Sequence, residues 1–218
     1  MNPKTKPARK HPLRASIPRK TVYRLSVYFR CLQRLRHNAI HTVSSEALAR
    51  AAGVKPTQLR KDLAHFGQFG TRGLGYDVGQ LSGMISDVLG TQTLQPVVLV
   101  GAGNLGSALL SYGGFAREGF EIVAAFDSDP HRHRPRASIP VLPMERLPEV
   151  IAAHGVRMAI LCVPASVAQE VANQLFASGI TGILNFAPIV LHAPEDAMVN
   201  NVNLAIELEN LSYFIQDA

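Results

Sequence analysis

Tryptophan is absent from this 218-residue chain, and cysteine occurs only at Cys31 and Cys162. Two thiols so far apart give no disulfide framework, so a cytoplasmic setting is expected. No apolar run reaches the roughly 18 residues that cross a bilayer, and no membrane partner is expected. The first residues are basic and proline-rich and lack the apolar stretch of a secretory signal. Lysine stops at Lys61, which removes a lysine base or nucleophile from everything that follows. Acid is scarce where base is plentiful. Residues 1–72 carry sixteen lysines and arginines against two acids, Glu46 and Asp62, a charge of +14. The rest carries six arginines and fourteen acids, −8, which leaves +6 for the whole. A solubility tail accounts for the charges of residues 1–19 but not for those that recur inside helices. The one-sidedness points to a module that binds a polyanion, nucleic acid above all, joined to an ordinary domain.

What is present supports two packed domains. Hydrophobic residues make up 47% of the chain, enough for a core in each of two small domains. Residues 1–17 have little apolar content and are expected to be disordered. Val22, Leu25, Phe29, Leu32 and Leu35 then fall at helical spacing, and the helix is expected to end at His37 and Asn38. Ser44 or Ser45 supplies the next N-cap, Leu48, Ala51 and Ala52 give a short buried face, and Gly53 stops the helix. Pro56 suits the first position of a third helix, which runs through Leu59, Leu63 and Phe66 and turns Thr57, Gln58, Arg60 and Lys61 outward. This is the pattern of a helix-turn-helix; two packed helices with no DNA role are the alternative. Residues 67–76 alternate glycine with bulky or basic residues and read as a β-hairpin. A hairpin after a recognition helix is a wing, with Arg72 near its tip suited to a minor groove. Val78 to Leu89 reads as a linking helix closed by Gly90.

The second domain opens with the apolar run 96–100, suited to a buried parallel strand. Gly101-Ala102-Gly103-Asn104-Leu105-Gly106 follows, then a helix through Leu109, Leu110 and Phe115. A strand from Glu121 to Phe126 ends at Asp127, 21 residues past Gly106. Further alternation gives a strand over 158–163, a helix over 167–177, a strand over 182–186 and a final helix over 204–215, capped near Asn201 or Asn203. The expected architecture is α/β, a winged helix-turn-helix domain followed by a Rossmann-like, doubly wound parallel sheet. A glycine motif between strand and helix, with an acid about 20 residues on, is the dinucleotide fingerprint. Gly101 permits the turn, Gly103 lets a diphosphate approach, and Gly106 lets helix and strand pack. The helix N-terminus receives the diphosphate. Asp127 accepts from the adenosine ribose hydroxyls and repels a 2′-phosphate, favouring NAD(H); Arg132, Arg134 and Arg136 just beyond leave that preference open. A sheet without ligand, or one for another nucleotide such as coenzyme A, is the alternative.

Turnover needs a proton donor or acceptor near the nicotinamide. Tyr112 has no lysine partner, and His154 and His192 stand alone. The run His131-Arg132-His133-Arg134 is too cationic for a metal site, and no metal is expected. Binding without catalysis is the better reading; a small NAD-dependent oxidoreductase with an accessory basic domain is the alternative.

The stretches RKDLAHFGQFGTRGLGY (60–76), GAGNLGSALLSYGGF (101–115), AAFDSDP (124–130) and GILNFAPIVL (182–191) resemble the Rex family of redox-sensing transcriptional repressors over roughly residues 17–215. The resemblance implies a homodimer that binds palindromic double-stranded operator DNA when NADH is low and lets go when NADH binds. It implies four segments: a basic tail (1–17), a winged helix (18–92), a domain for NADH or NAD+ (93–199) and a C-terminal helix exchanged between subunits (200–218). It carries Arg60 and Lys61 to the recognition helix and Phe69, Gly70 and Arg72 to the wing. Gly101, Ala102, Gly103, Asn104, Leu105, Gly106 and Asp127 go to the dinucleotide, and Val163, Pro164, Phe186, Ala187 and Pro188 to its nicotinamide end. Arg30 and Tyr112 match residues of the switch. One position departs: Asn203 stands where the family pattern has an aspartate, so a charged latch to the arginine and tyrosine cannot form.

Overall fold

The computed structural model describes residues 17–71 and 73–215. The expected disordered tail, but for residue 17, and the wing residue Arg72 lie outside the described residues. The chain divides into two compact units between Gln92 and Thr93.

In the first unit, α1 (Arg19–His37) follows Pro18 and ends at Asn38, with Arg34, Arg36 and His37 in a last turn whose carbonyls favour cations. Its buried stripe is Thr21, Leu25, Tyr28, Phe29 and Leu32, while Val22, expected inside, is 39% exposed. The inner face is therefore rotated towards Thr21. β1 (Thr42–Val43) leads to α2 (Ser45–Ala51), which is capped by the Ser44 hydroxyl accepting from the Ala47 N–H at 3.1 Å. Leu48 and Ala49 are its buried pair; Ala51, expected there, is exposed. A turn through Gly53 leads to α3 (Pro56–Ala64), which buries Leu59, Asp62 and Leu63. The 67–76 segment is shorter as a hairpin than its alternation implies. Thr71 and Gly75 form a single bridge, and β2 (Tyr76–Asp77) pairs instead with β1, Val43 opposite Tyr76. α4 (Val78–Leu89), capped by Asp77 and closed by Gly90 in the left-handed conformation, buries Val78, Leu81 and Ile85 in the core it shares with α1. It is part of this core rather than a linker alone.

The second unit is a six-stranded, all-parallel sheet in the order β5-β4-β3-β6-β7-β8. The strands are β3 (Gln95–Val100), β4 (Phe120–Phe126), β5 (Val141–Leu142), β6 (Met158–Leu161), β7 (Gly182–Asn185) and β8 (Met198–Asn201). From the central β3 the chain winds outward through β4 and β5, then crosses to β6 and winds the other way. That reversal opens a crevice at the carboxyl ends of β3 and β6. α6 (Leu147–His154) and α7 (Ala165–Ala177) cover one face through Val150, Ile151, Ala168, Ala172 and Leu175. α5 (Asn104–Leu110) packs on the other and stops at Leu110, before the Gly113-Gly114 pair; Phe115, expected in this helix, lies just before a 3-10 turn at Ala116–Glu118. Beyond α5 that face keeps an apolar groove of about 290 Å³ lined by Phe115, Phe120, Met158, Leu184 and Met198. α8 (Leu204–Ile215) buries no residue. Among the described residues no helix is long and apolar enough to cross a membrane.

Candidate functional site

The crevice is built by the turn after β3. Gly101 has φ +97°, and a Cβ there would lie 2.5 Å from the Cys162 carbonyl oxygen, so only glycine lets β3 and β6 end side by side. A Cβ on Gly106 would collide with the Gly101 carbonyl, so this glycine seats α5 against its own turn. Gly103 precedes α5, whose first N–H groups leave the helix end without helical partners. Asp127 follows β4 directly. Its Oδ2 accepts the Ala102 N–H at 2.7 Å and its Oδ1 the Asp129 N–H at 2.9 Å. Asp127 thus braces the turn as well as facing the crevice, with a second lone pair left on each oxygen. The cavity here is about 650 Å³ and takes in Gly101, Gly103, Asp127, Val163, Pro164 and Val167. Cys162 also lines it, and burial pushes its thiol up to about 11. It stays protonated at neutral pH and is a poor nucleophile.

Val163 and Pro164 reach this cavity, whereas Phe186, Ala187 and Pro188 are not among its lining residues. Phe186 packs on the α5 face of the sheet, Ala187 is buried and Pro188 is exposed. All three follow β7, the neighbour of β6, at the same carboxyl edge of the sheet. Asn185, fully buried, holds this corner: its Nδ2 donates to the Ala187 and Ile189 carbonyls and to Asn201 Oδ1, and its Oδ1 accepts from the Ala187 N–H. An asparagine inside the apolar run Gly182–Phe186 was the available signal for it. Asn104 and Leu105 are exposed on the first turn of α5.

In the first unit Thr57, Arg60 and Lys61 are exposed on α3. Arg60 Nη1 donates to the Ser45 hydroxyl at 3.1 Å and lies 3.7 Å from Glu46 Oε1. Gln58 is turned inward instead, its Nε2 donating to Asp62 Oδ1 at 2.9 Å. Asp62 also receives Arg24 Nε at 2.6 Å and Nη2 at 2.7 Å, the Tyr28 hydroxyl at 2.8 Å and the Thr21 hydroxyl at 3.3 Å. These bonds explain the rotated face of α1. Burial opposes ionisation of Asp62, but the bonds from Arg24, Tyr28 and Gln58 outweigh it and hold the carboxyl below its ordinary value. Burial, then the bond to Asp62, pushes the Tyr28 hydroxyl up. Sequence reading overlooked Asp62, although it is one of only two acids in the basic segment. Phe69 is half-buried against this core, and Gly70, at φ +90°, lies so near Gly75 that a Cβ would come within 2.8 Å of its carbonyl oxygen.

Of the switch candidates, Arg30 is exposed on α1, and Tyr112 is exposed with its ring edge-on to Phe115 at 5.1 Å. Asn203 begins α8, its Oδ1 accepting the Ala205 N–H at 3.0 Å.

Residues 16–64 match a family model described as a putative DNA-binding protein N-terminus, and residues 92–189 one described as a CoA binding domain. The redox-sensing transcriptional repressor Rex of Pelotomaculum thermopropionicum is 50% identical over 198 residues, 90% of this chain and 93% of its own length. The chain belongs to the Rex family of redox-sensing transcriptional repressors. The Rex protein of Streptomyces coelicolor is 48% identical over 201 residues, 92% of this chain and 78% of that one. Among solved structures, RSP, a Rex-family repressor, matches with a TM-score of 0.82 at 33% identity over 92% of this chain and 94% of that chain. RSP in complex with β-NAD+ and operator DNA matches with a TM-score of 0.85 at 34% identity, covering 92% and 93%. The winged helix and doubly wound sheet are thus the architecture of a Rex-family repressor.

Proposed function

We propose that this Rex-family chain is a homodimeric repressor that binds palindromic operator DNA, takes NADH or NAD+ in the crevice after β3, and releases the operator when NADH is bound. The observation that carries the reading is the crevice of the second unit, a glycine turn braced by Asp127; the first unit, taken by itself, presents an exposed cationic face on α3. Arg60 and Lys61 serve the major groove, with Thr57 alongside, and the 67–76 wing, with Phe69, Gly70 and Arg72, serves the backbone and minor groove. RSP, a solved Rex-family relative, has been captured with β-NAD+ and operator DNA and with β-NADH.

The two nucleotides differ at the ring, cationic in NAD+ and neutral in NADH. Val163 and Pro164, which line the crevice, offer it apolar surroundings, where a cation is costly. Coenzyme A, the ligand raised by the description of the second matched family, carries a phosphate on its adenosine ribose, which the Asp127 carboxylate opposes and the Arg132 guanidinium beside it favours. Binding without turnover is supported by the protonated Cys162 thiol and by the absence of lysine after Lys61. A homodimer is supported by α8, where Leu204, Leu208, Leu211 and Phe214 are 58–74% exposed, and by the apolar groove on the open sheet face. Apolar surface of this kind is best covered by a second copy. The test is a titration of palindromic duplex with the whole chain at moderate salt, beside an assay for hydride transfer from NADH. A specific complex without hydride transfer is expected; hydride transfer without a specific complex would give the oxidoreductase reading instead.

A further inference from the structure

The crevice holds a cation that the glycine fingerprint does not require. Arg132 lies on the loop after β4, and this loop is tied down along its length. Asp129 Oδ1 accepts the His131 N–H at 3.0 Å, His133 Nε2 meets the Asp127 carbonyl oxygen at 2.9 Å, and Arg134 bridges to Val141. The loop so fixed aims Arg132 back across the turn. Its Nη1 donates to the Ala102 carbonyl at 2.9 Å, so Ala102 is gripped on both sides, by Asp127 at its N–H and by Arg132 at its oxygen. The same Nη1 lies 3.4 Å from the point a Cβ on Gly103 would occupy. Gly103 is the residue whose bareness lets a diphosphate come close, and the guanidinium stands over it. Arg132 Nε is 3.4 Å from Asp129 Oδ2 and 4.0 Å from Asp127 Oδ2, loose ion pairs on a side chain 43% exposed. A guanidinium has five N–H donors in a planar fork that matches phosphate oxygens, and the Ala102 bond uses one.

We propose that Arg132 is a diphosphate contact of the dinucleotide site, its guanidinium donating to the phosphate oxygens that the glycine turn receives over Gly103. The inference rests on the dinucleotide reading above. NADH and NAD+ share the diphosphate, so Arg132 strengthens both alike and takes no part in telling them apart.

The experiment follows NADH binding by its fluorescence and displaces it with NAD+, ADP or adenosine, for the whole parent chain, Arg132→Ala and Arg132→Lys. A charge-assisted hydrogen bond lost from the diphosphate weakens NADH, NAD+ and ADP by about tenfold or more in Arg132→Ala, while adenosine, which has no phosphate, keeps its affinity. Arg132→Lys, with the charge but not the fork, falls between. Equal weakening of ADP and adenosine would show that Arg132 only props the turn through Ala102 and would overturn the proposal, as would unchanged affinity for all ligands. A parent chain that bound neither NADH nor ADP would overturn the dinucleotide reading itself, and this contact with it.

Discussion

Asp62 is the residue on which the DNA-binding unit turns. It sits in the middle of α3, between the exposed Arg60 and Lys61 and the core, and it draws Arg24 and Tyr28 of α1 onto α3. Asp62→Asn keeps the shape but leaves the guanidinium of Arg24, largely buried, without its anion. A loss of about 2–4 kcal/mol is expected from breaking such a pair, read as a lower unfolding midpoint in urea. The pH dependence follows from the sign of the shift. The folded carboxyl titrates below its ordinary 3.8, so the stabilisation is full above that value and disappears as pH falls through the depressed one. The gap in stability between parent and Asp62→Asn is expected to be constant at neutral pH and to narrow as the pH falls below the ordinary 3.8; a gap that held constant under acid would show that the ion pair is not its source. In the other unit Asp127 braces the glycine turn through the Ala102 N–H. Asp127→Ala removes the acceptor for the Ala102 N–H together with the acceptor for the ribose, and about a ten- to hundredfold weaker grip on NADH is expected, with a narrower preference over NADPH. Fluorescence titration reads both; parent-like values would remove Asp127 from the site. The two residues differed in legibility. Asp127 was found because its spacing from a glycine motif is a pattern in sequence. Asp62 carried only a compositional signal, and the position of Arg132 over Gly103 depends on how a loop without periodicity folds.

At the scale of elements, the glycines of the turn separate folding from binding. A methyl on Gly106 meets the Gly101 carbonyl, which is backbone and cannot yield, whereas one on Gly103 meets nothing closer than 3.4 Å, the end of the Arg132 side chain. Gly106→Ala is therefore expected to destabilise the second unit and abolish NADH binding. Gly103→Ala is expected to fold at the parent's melting temperature and lose NADH all the same, because its methyl stands in the path of the diphosphate. Thermal unfolding beside NADH titration distinguishes them, and identical behaviour of the two variants would contradict the roles assigned. The long or strongly patterned elements, α1, β3, β4 and α7, were legible because buried periodicity marks them. β1 and β5, two residues each, are too short to show a period, and β8 is a polar edge strand of sequence Met-Val-Asn-Asn. α6 has eight residues with a proline in its first turn and little outward pattern to mark it. The tight turn of the wing, where Thr71 bridges Gly75, was legible from its glycines, whereas the pairing of Tyr76 with Val43 depends on a two-residue strand that sequence cannot mark.

At the scale of the whole molecule, the proposal needs two copies and a coupling between nucleotide and operator. Leu208→Glu with Leu211→Glu alters side chains 65% and 58% exposed in the single chain. These changes should spare the protomer and shift it from dimer to monomer by sedimentation, and a dimer that survives them would remove α8 from the interface. Coupling is expected to be modest, because Asn203 caps α8 where the family pattern has a charged residue for the latch. A ligand shifts a conformational equilibrium only by its differential affinity for the two states. Redox sensing therefore reduces to one comparison, the affinity of the whole protein for its operator at saturating NADH and at saturating NAD+. The account predicts weaker operator binding with NADH, by about 5- to 150-fold. Equal affinity in the two arms would contradict it and leave a nucleotide-bound DNA binder whose trigger is something other than redox state.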